Sequence, residues 1–294
     1  MGAVDWSNVA RVFEAVKVVY EPWQKFQLDL FISQPVRVDK EKADITVHHD
    51  HFYGIYSALK PFKDHVLDTF LFIRHDTDEG IRGERTGEFG PLKETTAGNR
   101  FKGKIKSFDY GTEYALQFGS RAHDHIAAWA FHQEAGYAFS PIFGTPRLYA
   151  EYNHASGDKN PADGRYGNFD NLFPTSHDKY GFMDFLSLRN MNDIRLGIGI
   201  TPHPKLSFST DFHWFFLDTN KSSWFNASQA VVRSSSPNAG KELGQELDLL
   251  LKWKISDPMD FLMGYSHFSP GAFAKDTGAS DGADFFYVQP TVKF

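Results

Sequence analysis

Apolar and polar positions alternate with a period of two along most of this chain, and helical spacing is nearly absent. In "LSFSTDFHWFF", Leu206, Phe208, Thr210, Phe212, Trp214 and Phe216 fall on one side, and Ser207, Ser209, Asp211 and His213 on the other. "FDYGTEYALQF" sets Phe108, Tyr110, Thr112, Tyr114, Leu116 and Phe118 against Asp109, Gly111, Glu113 and Gln117. "LGQELDLLLKWK" sets Leu247, Leu249, Leu251 and Trp253 against Glu246, Asp248, Lys252 and Lys254. Successive side chains of an extended strand point to opposite faces, so each stretch reads as a strand with one apolar face. The pattern predicts about thirteen strands, at 11–20, 26–36, 49–58, 66–75, 94–103, 108–119, 125–139, 147–155, 183–200, 206–218, 243–254, 260–268 and 283–294.

The connections alternate in length. "EPWQK", "LKPFKDH", "KIKS", "SPIFGTP", "TPHPK" and "ISDPM" are short; 37–48, 76–93, 156–182, 219–242 and 269–282 are long, with 120–124 a short exception. All the short turns therefore lie at one end of a meander and nearly all the long loops at the other. That segregation is expected of an antiparallel up-and-down transmembrane β-barrel with short periplasmic turns, and a Greek-key sandwich has no reason for it. The final "FFYVQPTVKF" then descends to the periplasmic rim with Phe286, Val288, Val292 and Phe294 facing lipid. Pro290, lacking an N–H, suits an edge strand or a bulge.

Composition agrees. Aromatics make up 16% of the 294 residues, yet mean hydropathy is −0.42 and no apolar run approaches the roughly eighteen residues of a transmembrane helix. A polar average with a heavy aromatic load fits a wall whose lipid and lumen faces alternate. The absence of cysteine removes disulfides, thiolate nucleophiles and thiolate metal sites, and a net charge of −6 argues against nucleic acid as a partner. The opening "MGAVDWSNVARVF" has no charged segment followed by an apolar one, so it does not read as a secretory signal.

The most distinctive stretch is 147–202. It carries "ASGD" at Ala155–Asp158, "DGRYGNFDNLFPTSHDKYGFMD" at Asp163–Asp184 and "RNMNDIRLG" at Arg189–Gly197. It resembles the alginate-export family of bacterial outer-membrane channels, as do "WQKFQLDLFISQPV" (23–36), "DYGTEYALQFG" (109–119) and "GYSHFSPG" (264–271). The resemblance implies a bacterial outer-membrane location and a barrel of about eighteen strands. The chain is then expected to be one β-barrel domain, 1–294, lacking a signal peptide and N-terminal hairpins, since 2–9 is poorly patterned as a further strand. It also implies passage of an anionic uronic-acid polymer or related acidic solute. The terminal Phe294 resembles the signal read by the barrel-assembly machinery, and the barrel is expected to be monomeric.

With the apolar face toward lipid, Lys17, Arg74, Arg100, Lys102, Arg147, Arg189, Arg195, Lys252, Lys254 and Lys293 point inward. A ring of such cations attracts carboxylates. The pore-lining candidates are Arg189, Arg195, Arg147, Arg74, Arg100, Lys102 and Lys252. Arg189 and Arg195 lead, because both fall on the predicted return strand 183–200 with inward parity, and arginine binds a carboxylate through two parallel hydrogen bonds. Inward acids are nearly as numerous: Asp29, Asp68, Asp109, Glu113, Glu151, Asp193, Asp211, Glu246 and Asp248. Wall salt bridges are therefore the competing use of each cation.

Loop 156–182 concentrates Asp158, Asn160, Asp163, Asp170 and Asp178 among glycines and prolines. The acid spacing is wrong for an EF-hand, so turn formation is its first reading, and folding into the lumen or over its mouth as a gate is its functional one. "HHDH" at 48–51 puts only His49 and His51 on one face, so no metal or cofactor site is read there. No GxSxG or HExxH occurs, and pairings such as His177 with Asp178 or His213 with Ser209 carry no motif, so no enzyme is read. The alternatives are a non-transporting outer-membrane barrel, serving as enzyme or adhesion scaffold, and a soluble carbohydrate-binding sandwich.

Overall fold

The structure is a computed structural model that describes residue 6 and residues 10–39, 41–175 and 177–293. Phe294 and most of 2–9 lie outside the described residues. Thirteen long strands form one antiparallel meander: β1 (Val12–Trp23), β2 (Phe26–Arg37), β3 (Asp50–Leu59), β4 (His65–Arg82), β5 (Phe89–Ile105), β6 (Phe108–Arg121), β7 (Asp124–Ala138), β8 (Arg147–Ala155), β9 (Met191–His203), β10 (Leu206–Phe216), β11 (Glu242–Ser256), β12 (Met259–Pro270) and β13 (Ala283–Val292). Each pairs with its sequence neighbours, and β1 and β13 are the two edges among the described residues. Pro290 sits on β13, where its missing N–H can face away from the ladder. Two-residue strands at Ile45–Thr46 and Arg165–Tyr166 join the same sheet, the latter parallel to β7.

The outer face follows the alternation. Val16, Ile32, Ile55, Phe118, Leu196 and Phe286 stand exposed on it, while Asp68, Asp193, Asp211, Glu246 and Asp248 are buried on the inner face. In water this arrangement is inverted; in hydrocarbon it is the stable one, because paired strands satisfy the backbone and apolar side chains meet the lipid.

Two strand limits differ from the sequence reading. The segment 76–93 is not a long loop: β4 and β5 stay paired up to Arg82 and Phe89 past a bulge, leaving a six-residue tip. Its side chains are polar on both faces because it stands above the membrane, so alternation does not reveal it. The return strand begins at Met191 rather than 183. Leu186 and Leu188 mimic strand periodicity but, with Phe185, are packed in an apolar cap with Phe215, Trp224, Leu243, Phe268 and Phe273, so the apolar signal there came from loop packing. Trp224 Nε1 donates to the Phe185 carbonyl at 2.7 Å, and α1 (Ala272–Thr277) closes the cap with buried Phe273.

Leu249 faces outward in mid-strand on β11. Leu249→Arg is expected to destabilise the barrel by about 2–4 kcal/mol, as a charge at lipid depth does. Lys252→Ala, on the inner face of the same strand, is expected to stay within about 0.5 kcal/mol; equilibrium urea unfolding in lipid vesicles checks both.

Candidate functional site

The inner face is a polar wall whose charges are cross-strand partners. Arg195 on β9 donates through Nε to Asp211 Oδ1 on β10 at 2.8 Å and through Nη1 to Glu151 Oε2 on β8 at 3.3 Å. The Tyr149 hydroxyl donates to the same Asp211 carboxylate, and its ring lies against Gly197, where any Cβ would stand 2.2 Å from the ring. Asn153 donates to Glu151 and Asp193, and His213 meets Asp193 at 2.9 Å through Nδ1. The Ser266 hydroxyl on β12 donates to Asp248 on β11. His213 Nε2 stands 3.8 Å from Asp248 Oδ2, so one continuous network ties β8 to β12.

The other predicted cations divide into paired and free. Arg74 forks onto Asp50 at 3.0 and 2.8 Å, Arg100 binds Asp68 Oδ2 through Nε at 2.8 Å, and Arg147 forks onto Asp109. Among the described residues Lys102 and Lys252 form no ion pair, and both lie exposed toward the short-turn end. Arg147 and Lys252 line one inward cavity of about 410 Å³ with Tyr149, Ser207, Ser209 and Leu250. Arg189 corrects the sequence reading: it lies in the loop before β9, between the Tyr166 hydroxyl, Gln229 and the Phe225 ring, and so does not share the strand parity of Arg195. The loop's apolar residues, not a strand, produced that parity.

The loop 156–190 runs round the inside of this wall. Arg165–Tyr166 pair with β7. Next, the Asp170 backbone forms two 2.7 Å hydrogen bonds with the Gln117 side-chain amide on β6. Phe173 then packs edge-on against Phe52 of β3, with ring centroids 4.9 Å apart, and Arg11 Nη2 donates to the Pro174 carbonyl at 3.1 Å. On the far side His177 stacks on Trp6, Phe182 on Tyr287 of β13, and the Met183 N–H donates to Glu246 Oε1 at 3.0 Å. Gly181, at φ +82°, lies so close to Glu246 that a Cβ would stand 2.5 Å from Oε1. The loop therefore lies against the inner face from β7 round to β13.

Sequence reasoning missed the inward aromatics Phe31, Phe52, Phe70 and Phe72, having assigned aromatics to lipid; their signal was parity, since each occupies a polar-face position of its strand. The histidines are engaged locally: His49 meets Asp76 at 2.8 Å, His51 meets Gln34, and His177 meets Asp184 at 3.0 Å.

The apolar exterior, polar interior, short turns at one rim and inserted loop define an outer-membrane β-barrel channel of the bacterial outer membrane. The chain belongs to the alginate-export family, whose model matches residues 1–288. It is similar in fold to two Pseudomonas aeruginosa outer-membrane proteins. OccK11 (OpdR) gives a TM-score of 0.59 at 11% identity over 98% of this chain and 72% of that one. OprD gives 0.54 at 10% identity over 94% of this chain and 67% of that one. No curated protein matches the chain.

At the outer rim the Glu84 N–H donates to Asp124 Oδ2, and Asp158 accepts from the Asn160 and Gly167 N–H groups. Burial, then the Asp158 and Asp124 carboxylates, push the Glu84 carboxyl up to about 8, partly offset by Arg121. The folded state favours the neutral acid. The resulting stability is complete below the ordinary value of 4.5 and is lost as pH rises through about 8. Glu84→Gln is expected to flatten that part of the melting-temperature profile, measured by circular dichroism in detergent; an unchanged slope would assign it to another group. Arg195→Ala strands two buried carboxylates and is expected to cost about 3–5 kcal/mol, read as loss of heat-modifiable migration on gels.

Proposed function

We propose that this channel passes acidic saccharides, uronic-acid polymers of the alginate type or related carboxylated solutes, out of the periplasm. The observation that carries the reading is a charge asymmetry. Lys25, Lys60, Lys63, Lys106 and Lys205 sit in the short turns against only Asp64 and Asp257, whereas the loops at the other end are mixed in sign. Just inside the basic rim lie the unpaired Lys102 and Lys252, the latter sharing its cavity with Arg147, two serine hydroxyls and the Tyr149 ring. A one-signed mouth with low-dielectric walls concentrates counter-ions and raises their rate of entry. Hydroxyls and an aromatic ring beside the cations suit a sugar that also carries a carboxylate.

Family membership supports the same direction of transport. The deeper arginines, Arg74, Arg100 and Arg195, each hold a wall carboxylate, as Arg147 does beside Lys252, so the reading places entry selectivity on the free lysines and gives Arg195 a structural part.

Planar-bilayer recording tests it. The protein is expected to be anion-selective and blocked by oligouronate, more strongly from the short-turn side and less as salt is raised. Replacing Lys60, Lys63, Lys106 and Lys205 together by Glu is expected to shift the reversal potential toward cations and weaken block from that side only. Cation selectivity untouched by uronates would overturn the substrate assignment.

A further inference from the structure

The loop segment Asp170–Phe173 holds two groups against the lumen wall in an arrangement that resembles a bound solute. Asp170 Oδ2 lies 3.8 Å from Arg74 Nη1, beyond the fork that Arg74 makes with Asp50, and Asp170 Oδ1 accepts from Gln229 Nε2 at 2.8 Å. The Phe173 ring packs at the same guanidinium, whose carbon stands 5.4 Å from the ring centroid, and edge-on to Phe52. Phe52 and Arg74 are direct cross-strand partners, so a carboxylate-binding group and an apolar ring surface sit side by side on the wall. Phe173 adopts φ +47°, a left-handed conformation that a bulky residue keeps only where surrounding contacts hold it.

We infer that Asp170 and Phe173 are an internal ligand: they occupy a wall site on Arg74 and Phe52 that takes a ring-bearing carboxylate, a uronic-acid residue of the transported chain. The inference rests on the transport reading above. Exchange conserves charge, since one carboxylate replaces another beside Arg74, whose cross-strand neighbour Glu94 and partner Asp50 stay in place. It also conserves packing, since a sugar ring takes the Phe173 position against Phe52. The Gln117 amide holds the segment on one side, and Arg11 at the Pro174 carbonyl and Glu246 at the Met183 N–H hold it on the other, so release at Arg74 moves the Asp170 and Phe173 side chains, the latter leaving Phe13 as well, between fixed anchors. Solute entry and widening of the lumen are thereby one event, with the loop and the solute competing for the same groups.

The test is bilayer recording of wild type, Phe173→Ala, Asp170→Asn and Gln117→Ala, with a uronic-acid oligomer added to either chamber and gel heat-modifiability confirming each barrel. The three variants are expected to conduct more than wild type in potassium chloride alone. They are also expected to reach half-block at about tenfold lower oligomer concentration, as removal of an internal competitor requires. Arg74→Lys, which keeps the charge but loses the fork, is expected to weaken block about tenfold. If wild type is blocked while the loop variants keep its conductance and half-block, the inference is overturned and the transport reading stands. If wild type and variants are all cation-selective and unblocked, the transport reading falls and this inference falls with it.

Discussion

A strand in hydrocarbon must give its backbone N–H and C=O groups to neighbouring strands, because lipid offers no other partner. That requirement makes the wall one uninterrupted antiparallel ladder from β1 to β13 and leaves the side chains only two destinations. Apolar ones turn to lipid. Charged ones turn inward, where opposite charges on neighbouring strands of a polar wall come within reach of one another and most of them pair. Arg195 between Asp211 and Glu151, Arg100 on Asp68 and Arg147 on Asp109 are consequences of that crowding before they are anything else.

Function is then left to the groups that the wall does not consume. At the short-turn rim the lysines project past the ladder, and no carboxylate among the described residues forms an ion pair with Lys102 or Lys252. Deeper in, the loop 156–190 lines the wall from β7 round to β13, held among others by the Gln117 amide, the Phe52 edge, Arg11, Glu246 and the Tyr287 ring. The lumen is thus a polar wall with one loop laid against it.

Much of this was legible in the sequence. Every long strand was visible because lipid and lumen impose opposite preferences on adjacent residues, as in Phe208, Asp211 and Trp214. Legibility failed where that opposition ends. Above the membrane, Asp76–Arg82 pair with β5 although both faces are polar, so the ladder is longer than its signal. Within the cap, Leu186 and Leu188 alternate with Ser187 and Arg189 yet belong to a loop, which misplaced Arg189. Inside the wall, Phe52 and Phe70 sit on the polar face because Phe173 and neighbouring rings cover them.

The sequence by itself determined the fold class, the inward parity of Arg74, Arg147, Arg195 and Lys252, and the loop that sets this family apart, because all three are written in local alternation and local motif. Only the tertiary structure decided which cation is neutralised and which is free, and where the loop lies. Those depend on side chains from strands far apart in sequence, such as Arg195 with Glu151 and Gln117 with Asp170, meeting across the ladder and the lumen. No local pattern encodes such a meeting.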